Sequence, residues 1–318
     1  MAVYTQVSAE ALTTFLAKFD VGELVSAKGI AEGVENSNYL VDTTKGRFIL
    51  TLYEKRVAAH DLPYFMALLD HLAARGNRVP PAVRDCAGTA IHALQGRPAC
   101  LIEFLTGVSV THPTPAQAAA AAEAMGRMHA SLADFTLDRP NSMGSQTWAE
   151  QLARCGHDLD KIEAGLFDRL SQALERVLGH WPKHLPSSAI HADLFPDNVL
   201  MLGNEVTGLI DFYFASTDIR AFDLAVMHGA WAFDATGQNY DAAVGRALIQ
   251  GYSTSFGLSD EERAALPLLA QGAALRFLLS RAWDWLNTPA DALVTRKDPL
   301  AYLRRLDFYE THGAALFA

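Results

Sequence analysis

The sequence predicts an α+β protein of two lobes, a small one on a five-stranded antiparallel sheet and a larger, mainly helical one. Three observations predict it. Up to about residue 104, short apolar runs with strand character are punctuated by glycine- and proline-bearing turns. From residue 113 onward, apolar residues recur at helical spacing instead. One polar segment, residues 190–214, interrupts that helical half and is folded around a short hairpin pattern. The expected division is 1–105 for the first lobe and 106–318 for the second.

Residues 8–19 carry Leu12, Phe15, Leu16 and Phe19 on one helical face, with Ser8 as the N-cap. Strands are expected at 23–30, 38–42 and 47–53, the last two joined by Thr44-Lys45-Gly46. Between the first two lies a ten-residue stretch, 29–38, ending Glu35-Asn36-Ser37-Asn38. It reads as a loop whose N–H groups and small side chains can lie over phosphates. The other reading is an ordinary polar hairpin loop, since a full glycine signature is absent. Residues 61–75 form a helix with Leu62, Phe65, Met66, Leu69 and Leu72 on one face; Gly76 closes it and Pro80-Pro81 break the chain. Strands at 89–94 and 99–104 complete the sheet, and Glu103-Phe104-Leu105-Thr106-Gly107 leads out of it as a hinge.

The second lobe opens with an alanine-rich helix, 114–135, bearing Met125, Met128 and Leu132 at helical spacing. One or two helices span 148–178, with a boundary near Gly156, and 181–188 reads as a loop. Strands at 199–202 and 206–210 flank the turn Gly203-Asn204. Helices follow at 222–233, 239–256, 260–286 and 299–312, with no internal repeat.

Composition narrows the function classes. Half of the 318 residues are hydrophobic and 19% are charged, as in a soluble globular protein. The net charge of −10 argues against a nucleic-acid partner and against an anionic membrane surface. No apolar run is long enough to span a bilayer, and residues 1–10 lack a signal-peptide pattern. Three cysteines, Cys86, Cys100 and Cys155, show neither a disulfide framework nor metal spacing, which fits a reducing cytoplasm.

The chemistry is stated by His191-Ala192-Asp193-Leu194-Phe195-Pro196-Asp197-Asn198 and by Ile210-Asp211-Phe212. Each of these residues alone is commonplace as a core histidine or a turn carboxylate. Together they fit the catalytic-loop pattern H-x-D-L-x-x-x-N followed by a shortened D-F-G-like element. In that pattern Asp193 is the catalytic base that accepts a substrate hydroxyl proton, and Asn198 and Asp211 hold magnesium against the phosphates of ATP. The hairpin between them is expected to bring Asn198 and Asp211 side by side, and oxygen ligands suit a hard ion. The nucleotide-binding residues expected with them are Asn36, Ser37, Asn38 and Thr51, with the backbone near Glu103 and Leu105 for the adenine.

These motifs, with Gly33-Val34-Glu35-Asn36-Ser37-Asn38-Tyr39 and Phe48-Ile49-Leu50-Thr51-Leu52-Tyr53-Glu54, resemble the aminoglycoside phosphotransferase and choline kinase-like group. Within it the chain looks most like the bacterial homoserine kinases. The resemblance runs from about residue 8 onward and implies a protein-kinase-like bilobal fold. It also implies phosphorylation of the hydroxyl of L-homoserine on the route to threonine, by a cytoplasmic monomer or homodimer.

Three departures from a protein kinase are informative. Ala192 replaces the loop arginine, and only eleven residues separate Asp211 from Asp223, leaving little room to dock a peptide. The acceptor is therefore expected to be a small molecule. Thr51 stands in register with the third-strand lysine of V-A-I-K; Lys28, Arg47, Lys55 or Arg56 are the candidates to supply the missing charge. Other acceptors stay open. An aminoglycoside wants acid, and choline wants an aromatic cage, for which Trp231, Phe233, Trp283 and Trp285 are candidates. For homoserine, Asp197 or Asp284 suits the ammonium group and Arg281 the carboxylate, Arg281 and Asp284 being three apart on one helix face. The alternative from another class is a catalytically dead kinase-like binding module. Thr51 favours it, but the joint presence of Asp193, Asn198 and Asp211 argues against it.

Overall fold

Ser8 starts the first helix as expected: its side chain accepts from the Ala11 N–H and opens α1 (Ala9–Leu16). In the computed structural model, which describes residues 4–30, 36–54, 57–288 and 296–317, the chain divides into two compact units. One is Met1–Gly107 with Thr207–Tyr213, the other Val108–Val206 with Phe214–Ala318.

The first unit is built on β1 (Leu24–Gly29), β2 (Asn36–Thr43), β3 (Gly46–Tyr53), β4 (His92–Leu94) and β5 (Arg97–Glu103). Their order is β1-β2-β3-β5-β4, every pair antiparallel. Alternation sorts the side chains by face. Tyr39, Val41, Leu50, Leu52, Ala99 and Leu101 form one core with Leu12, Phe15 and Leu16 of α1. The opposite face carries two rows across the sheet. Lys28, Leu40, Ile49 and Ile102 lie side by side, and Asn38, Thr51 and Cys100 form the next row. Gln95 and Gly96 both take positive φ, +53° and +72°, the twist a two-residue hairpin loop requires. Helix α2 (Leu62–Ala74) buries the stripe read from the sequence, with Leu62, Phe65 and Leu72 fully covered. The inserted segment belongs to this unit through the Leu209 N–H, which donates to the Arg78 carbonyl at 2.7 Å. The Tyr213 ring also packs edge-on to Tyr53 and Phe65.

The second unit holds α3 (Pro115–Ser131), α4 (Ser145–Cys155), α5 (Leu166–Gly179), α6 (Arg220–Trp231), α7 (Ala242–Ser255), α8 (Asp260–Asn287) and α9 (Leu300–Leu316). Thr114 with Gln117 and Ser259 with Glu262 make capping boxes that fix the starts of α3 and α8. The span 148–178 resolves into two helices, and the break falls at Gly156, where φ is +51°. Helices α3 and α7 approach closely because Gly126 and Gly251 have no side chains. A Cβ on Gly251 would stand 2.3 Å from the Ala119 carbonyl oxygen.

Two strands lie outside the expected set, one of them overlapping the end of the expected loop 181–188. β6 (Ser187–Ile190) and β9 (Ser216–Ile219) pair antiparallel and bracket the motif-bearing segment 191–215. Between them, β7 (Val199–Leu202) and β8 (Glu205–Leu209) form the expected hairpin, with Gly203 at φ +62° in its turn.

Candidate active site

Within the second unit, the candidate catalytic segment leaves β6 at His191 and turns at Ala192, which sits at φ +62°. An alanine there is strained, so outside groups must hold it. Asp223 on α6 does so: one carboxylate oxygen accepts the His191 N–H and the other the Ala192 N–H, both at 2.8 Å. Asp223 is fully buried. Burial pushes its carboxyl up; the His129 hydrogen bond, the charges of His129 and His191 and the His191 N–H outweigh this and bring it below its ordinary value. His129 lies 3.2 Å from Asp223 through Nε2 and 2.8 Å from the Tyr252 hydroxyl through Nδ1. A buried relay thus runs from α7 through α3 and α6 to the loop backbone.

Beyond Ala192 the segment is pinned residue by residue. The Asp193 N–H donates to His191 Nδ1 at 3.3 Å, and the Trp231 indole N–H donates to the Leu194 carbonyl at 2.9 Å. A 3-10 turn, Pro196–Asn198, follows. It lets the buried Asn198 fold back, its Nδ2 donating to the Asp193 carbonyl at 2.8 Å and reaching the carboxylate at 3.4 Å. With its nitrogen committed, Asn198 presents its oxygen as the end able to meet a cation. Asp193 itself is half-buried, and Asp197 is exposed on the outside of the turn.

Helix α8 adds two arginines. Arg276 is buried and donates Nη1 to the Ala192 carbonyl, with its guanidinium 4.2 Å over the Phe277 ring. Burial pushes it below its ordinary value; Asp193 and Tyr302 are foremost among the groups acting the other way. Arg281 lies 4.5 Å over the Tyr302 ring and donates to the Asp298 carbonyl at 3.3 Å. Burial pushes it down as well, and Tyr302 partly offsets this. Asp284 lies one turn further along the same helix. Of the aromatic residues, Trp283 and Trp285 are each faced by a guanidinium, from Arg154 at 4.1 Å and Arg296 at 4.9 Å.

Within the first unit, Asn36 and Ser37 belong to strand β2 instead of the preceding loop. Ser37 is fully buried because its hydroxyl is satisfied: it accepts from the Tyr4 and Thr5 N–H groups and donates to Glu54 at 2.7 Å. Asn36 Oδ1 meets the Glu54 N–H at 3.4 Å. Thr51, at the lysine position, donates to Asn38 Oδ1 at 2.8 Å, which leaves the Asn38 amide N–H groups as donors on that face. The candidate cations differ. Arg47 is bound to Asp42 at 2.7 Å, Lys28 is exposed one row from Thr51, and Lys55 and Arg56 lie outside the described residues, as do residues 31–35. Asp211 is exposed at φ +66°, a left-handed position that aspartate tolerates. Tyr213 follows it, its hydroxyl 3.3 Å from that of Tyr53. Burial pushes both phenols up. Glu103 ends β5 with its N–H given to the Pro81 carbonyl at 3.1 Å, and Leu105 lies just past the strand end.

Asp223, His129, Tyr252 and Arg276 belong to no motif. Their signal in the sequence is a charged or polar residue set inside an apolar helical run, as in Leu275-Arg276-Phe277-Leu278 and Phe222-Asp223-Leu224. Among the described residues no helix is long and apolar enough to cross a membrane, and no group of three or more His, Cys, Asp or Glu residues gathers as a metal site.

The APH model, described as the phosphotransferase enzyme family, matches residues 26–291. The homoserine kinase of Zymomonas mobilis subsp. mobilis is 52% identical over 311 residues, 97% of each chain. That of Granulibacter bethesdensis is 50% identical over 309 residues, again 97% of each. Among solved structures, an amicoumacin kinase in complex with AMP-PNP, Ca2+ and Ami matches with a TM-score of 0.73 at 14% identity, over 96% of this chain and 94% of that one. At that identity the likeness is one of fold, and it agrees with the kinase-like architecture expected from the sequence.

Proposed function

The chain belongs to the phosphotransferase enzyme family, and from that premise we propose that it is an ATP-dependent kinase acting on the hydroxyl of L-homoserine. The product is O-phospho-L-homoserine, on the route to threonine. One observation carries the acceptor: identity at about half of all positions, over nearly the whole chain, with proteins named homoserine kinase.

In this reading residues 1–105 serve the nucleotide and 106–318 carry the chemistry and the acceptor. Asp193 is the base: it takes the proton of the attacking hydroxyl, which then receives the γ-phosphoryl group directly. Asn198 and Asp211 offer hard oxygen donors of the kind magnesium takes. When bound, that ion neutralises charge on the phosphates. Asn38 donates to the nucleotide through the amide N–H groups that Thr51 orients, and Asn36 and Ser37 set the strand that carries it. Lys28 supplies the charge that Thr51 lacks, because it is exposed on the same face one row away while Arg47 is held by Asp42. Adenine meets the Glu103 carbonyl and the Leu105 N–H; the Glu103 N–H is already spent on Pro81. For the acceptor, Arg281 takes the carboxylate, and Asp197 or Asp284 the ammonium group. The enzyme works in the cytoplasm as a monomer or homodimer.

A choline acceptor finds less support, because the guanidinium groups over Trp283 and Trp285 repel a quaternary ammonium. The test is ADP release with magnesium and L-homoserine, D-homoserine, L-serine, choline or kanamycin. L-homoserine is expected to be turned over far ahead of the rest. Equal activity on choline, or none on L-homoserine, sinks the assignment. No ADP release with any acceptor leaves the binding-module reading standing.

A further inference from the structure

The catalytic loop has a conformation it would not keep by itself. Ala192 takes φ +62°, a region that disfavours every residue with a Cβ. Its N–H is held by Asp223. Its carbonyl, which belongs to the peptide that bears Asp193, is held from the other side by Arg276 of α8. Each face of the strained residue therefore has one charged anchor.

Arg276 is an odd choice if packing is its only task. It is 2% exposed and sits in the run Leu275-Arg276-Phe277-Leu278-Leu279, where an apolar side chain would bury at no electrostatic cost. Its guanidinium lies over Phe277 at 4.2 Å and Phe214 at 5.7 Å. Among the described residues no carboxylate comes within ion-pairing distance of it, and its Nε has no hydrogen-bond partner. A fold that keeps a buried, partly unsatisfied cation here, against the usual rule, needs it for what it does hold. That is the Ala192 carbonyl.

We propose that Arg276 is a positioning residue, which clamps the peptide between Ala192 and Asp193 and so aims the Asp193 carboxylate at the acceptor hydroxyl. The inference rests on the reading of Asp193 as the base. It explains why α8 sends a charge into an apolar layer, and why an alanine can occupy a position that glycine would fill more cheaply.

The test is steady-state kinetics with MgATP and L-homoserine on the full chain, for R276M, R276K, A192G, R276M/A192G, R276K/A192G and D193N. R276M is expected to lose roughly 10- to 100-fold in kcat, the scale of a small misplacement of a reacting group. Both KM values are expected to stay within about threefold, since binding is not what was removed. Adding A192G to R276M is expected to return roughly three- to tenfold, because glycine takes positive φ without the Cβ penalty. Mere loosening of the core would not be repaired by a glycine. An unchanged kcat in R276M overturns the proposal. So does a homoserine KM that rises while kcat holds, which would make Arg276 an acceptor ligand, and so does a double variant no better than R276M. If R276M does not fold, R276K with and without A192G carries the same comparison under the same criteria. D193N separates the premise: near-normal turnover there removes Asp193 from the base role whatever Arg276 does, whereas a collapsed D193N beside an unaffected R276M sinks the clamp alone.

Discussion

Gly251→Ala tests whether the contact between α3 and α7 supports the loop proposed to carry the base. The added Cβ would meet the Ala119 carbonyl oxygen at 2.3 Å and its C and Cα at 2.9 Å. All three atoms are backbone, so no side chain can swing aside. Restoring an ordinary 3.4 Å separation requires the helices to part by about 1 Å. Overpacking of this kind costs about 1–3 kcal/mol, against which alanine returns at most about 1 kcal/mol of helix propensity. At the middle of that range the net is a loss of about 1 kcal/mol, or a fall in Tm of about 2–4 °C for a unit of this size. Activity should fall too, well below the melting temperature. Tyr252 is the next residue, and its hydroxyl holds His129, which in turn holds Asp223. Calorimetry and kcat on G251A provide the measurement. Gly179→Ala, in α5 with nothing within 4 Å of its Cβ, is the control and should be neutral or slightly stabilising. A G251A variant as stable as the control refutes the close-approach argument. One that is less stable but fully active refutes the relay.

The remaining expectations concern the site and the core. Asp193→Asn should cut turnover by roughly two to four orders of magnitude while nucleotide binding, read by calorimetric titration, persists. Asp211→Ala should raise the magnesium requirement more than Asn198→Ala, since a carboxylate holds a divalent ion by charge and an amide only by its dipole; unaltered magnesium dependence in D211A removes it from the metal. Lys28→Ala should raise the KM for ATP and Arg281→Ala that for homoserine, and the reverse pattern exchanges their roles. His228 is buried between Tyr309 and Tyr240, and burial pushes its imidazole down to about 3 from 6.5. The unfolded chain binds that proton below about pH 6.5 and the folded one refuses it, so His228 removes stability as pH falls from 6.5 toward 3. The loss is about 2 kcal/mol at pH 5. Urea midpoints at pH 7 and pH 5 should therefore differ less in H228N than in the parent, and an equal difference rejects the assignment.

The parts of the fold with local causes were legible. Short apolar runs between turns marked the sheet strands, Gly46 and Gly203 marked turns, and Ser8 marked a helix start. What escaped depends on distant partners. Ser187-Ser188-Ala189-Ile190 has no alternation to read, and it is a strand because residues 216–219 pair with it. Asn36 and Ser37 look like loop residues until Glu54, Tyr4 and Thr5 supply the hydrogen bonds that let them be buried in β2. The site divides the same way. Asp193, Asn198 and Asp211 stand in a spaced motif, whereas Asp223 and Arg276 act on the loop from helices whose placement only packing decides.

The small unit is not one continuous piece of chain. It includes Thr207–Tyr213, tied in by Leu209 on Arg78 and by Tyr213 beside Tyr53 and Phe65. On the ribosome its sheet is therefore synthesised long before its last segment. At usual elongation rates, the residues between Gly107 and Tyr213 take about 5–20 s to emerge. During that interval Tyr53 and Phe65 lack their covering ring, and the nascent unit offers that apolar surface to whatever chaperone waits at the tunnel exit. A gene cut after Gly107 would leave its product permanently in that condition, so this fold cannot be halved at its apparent seam.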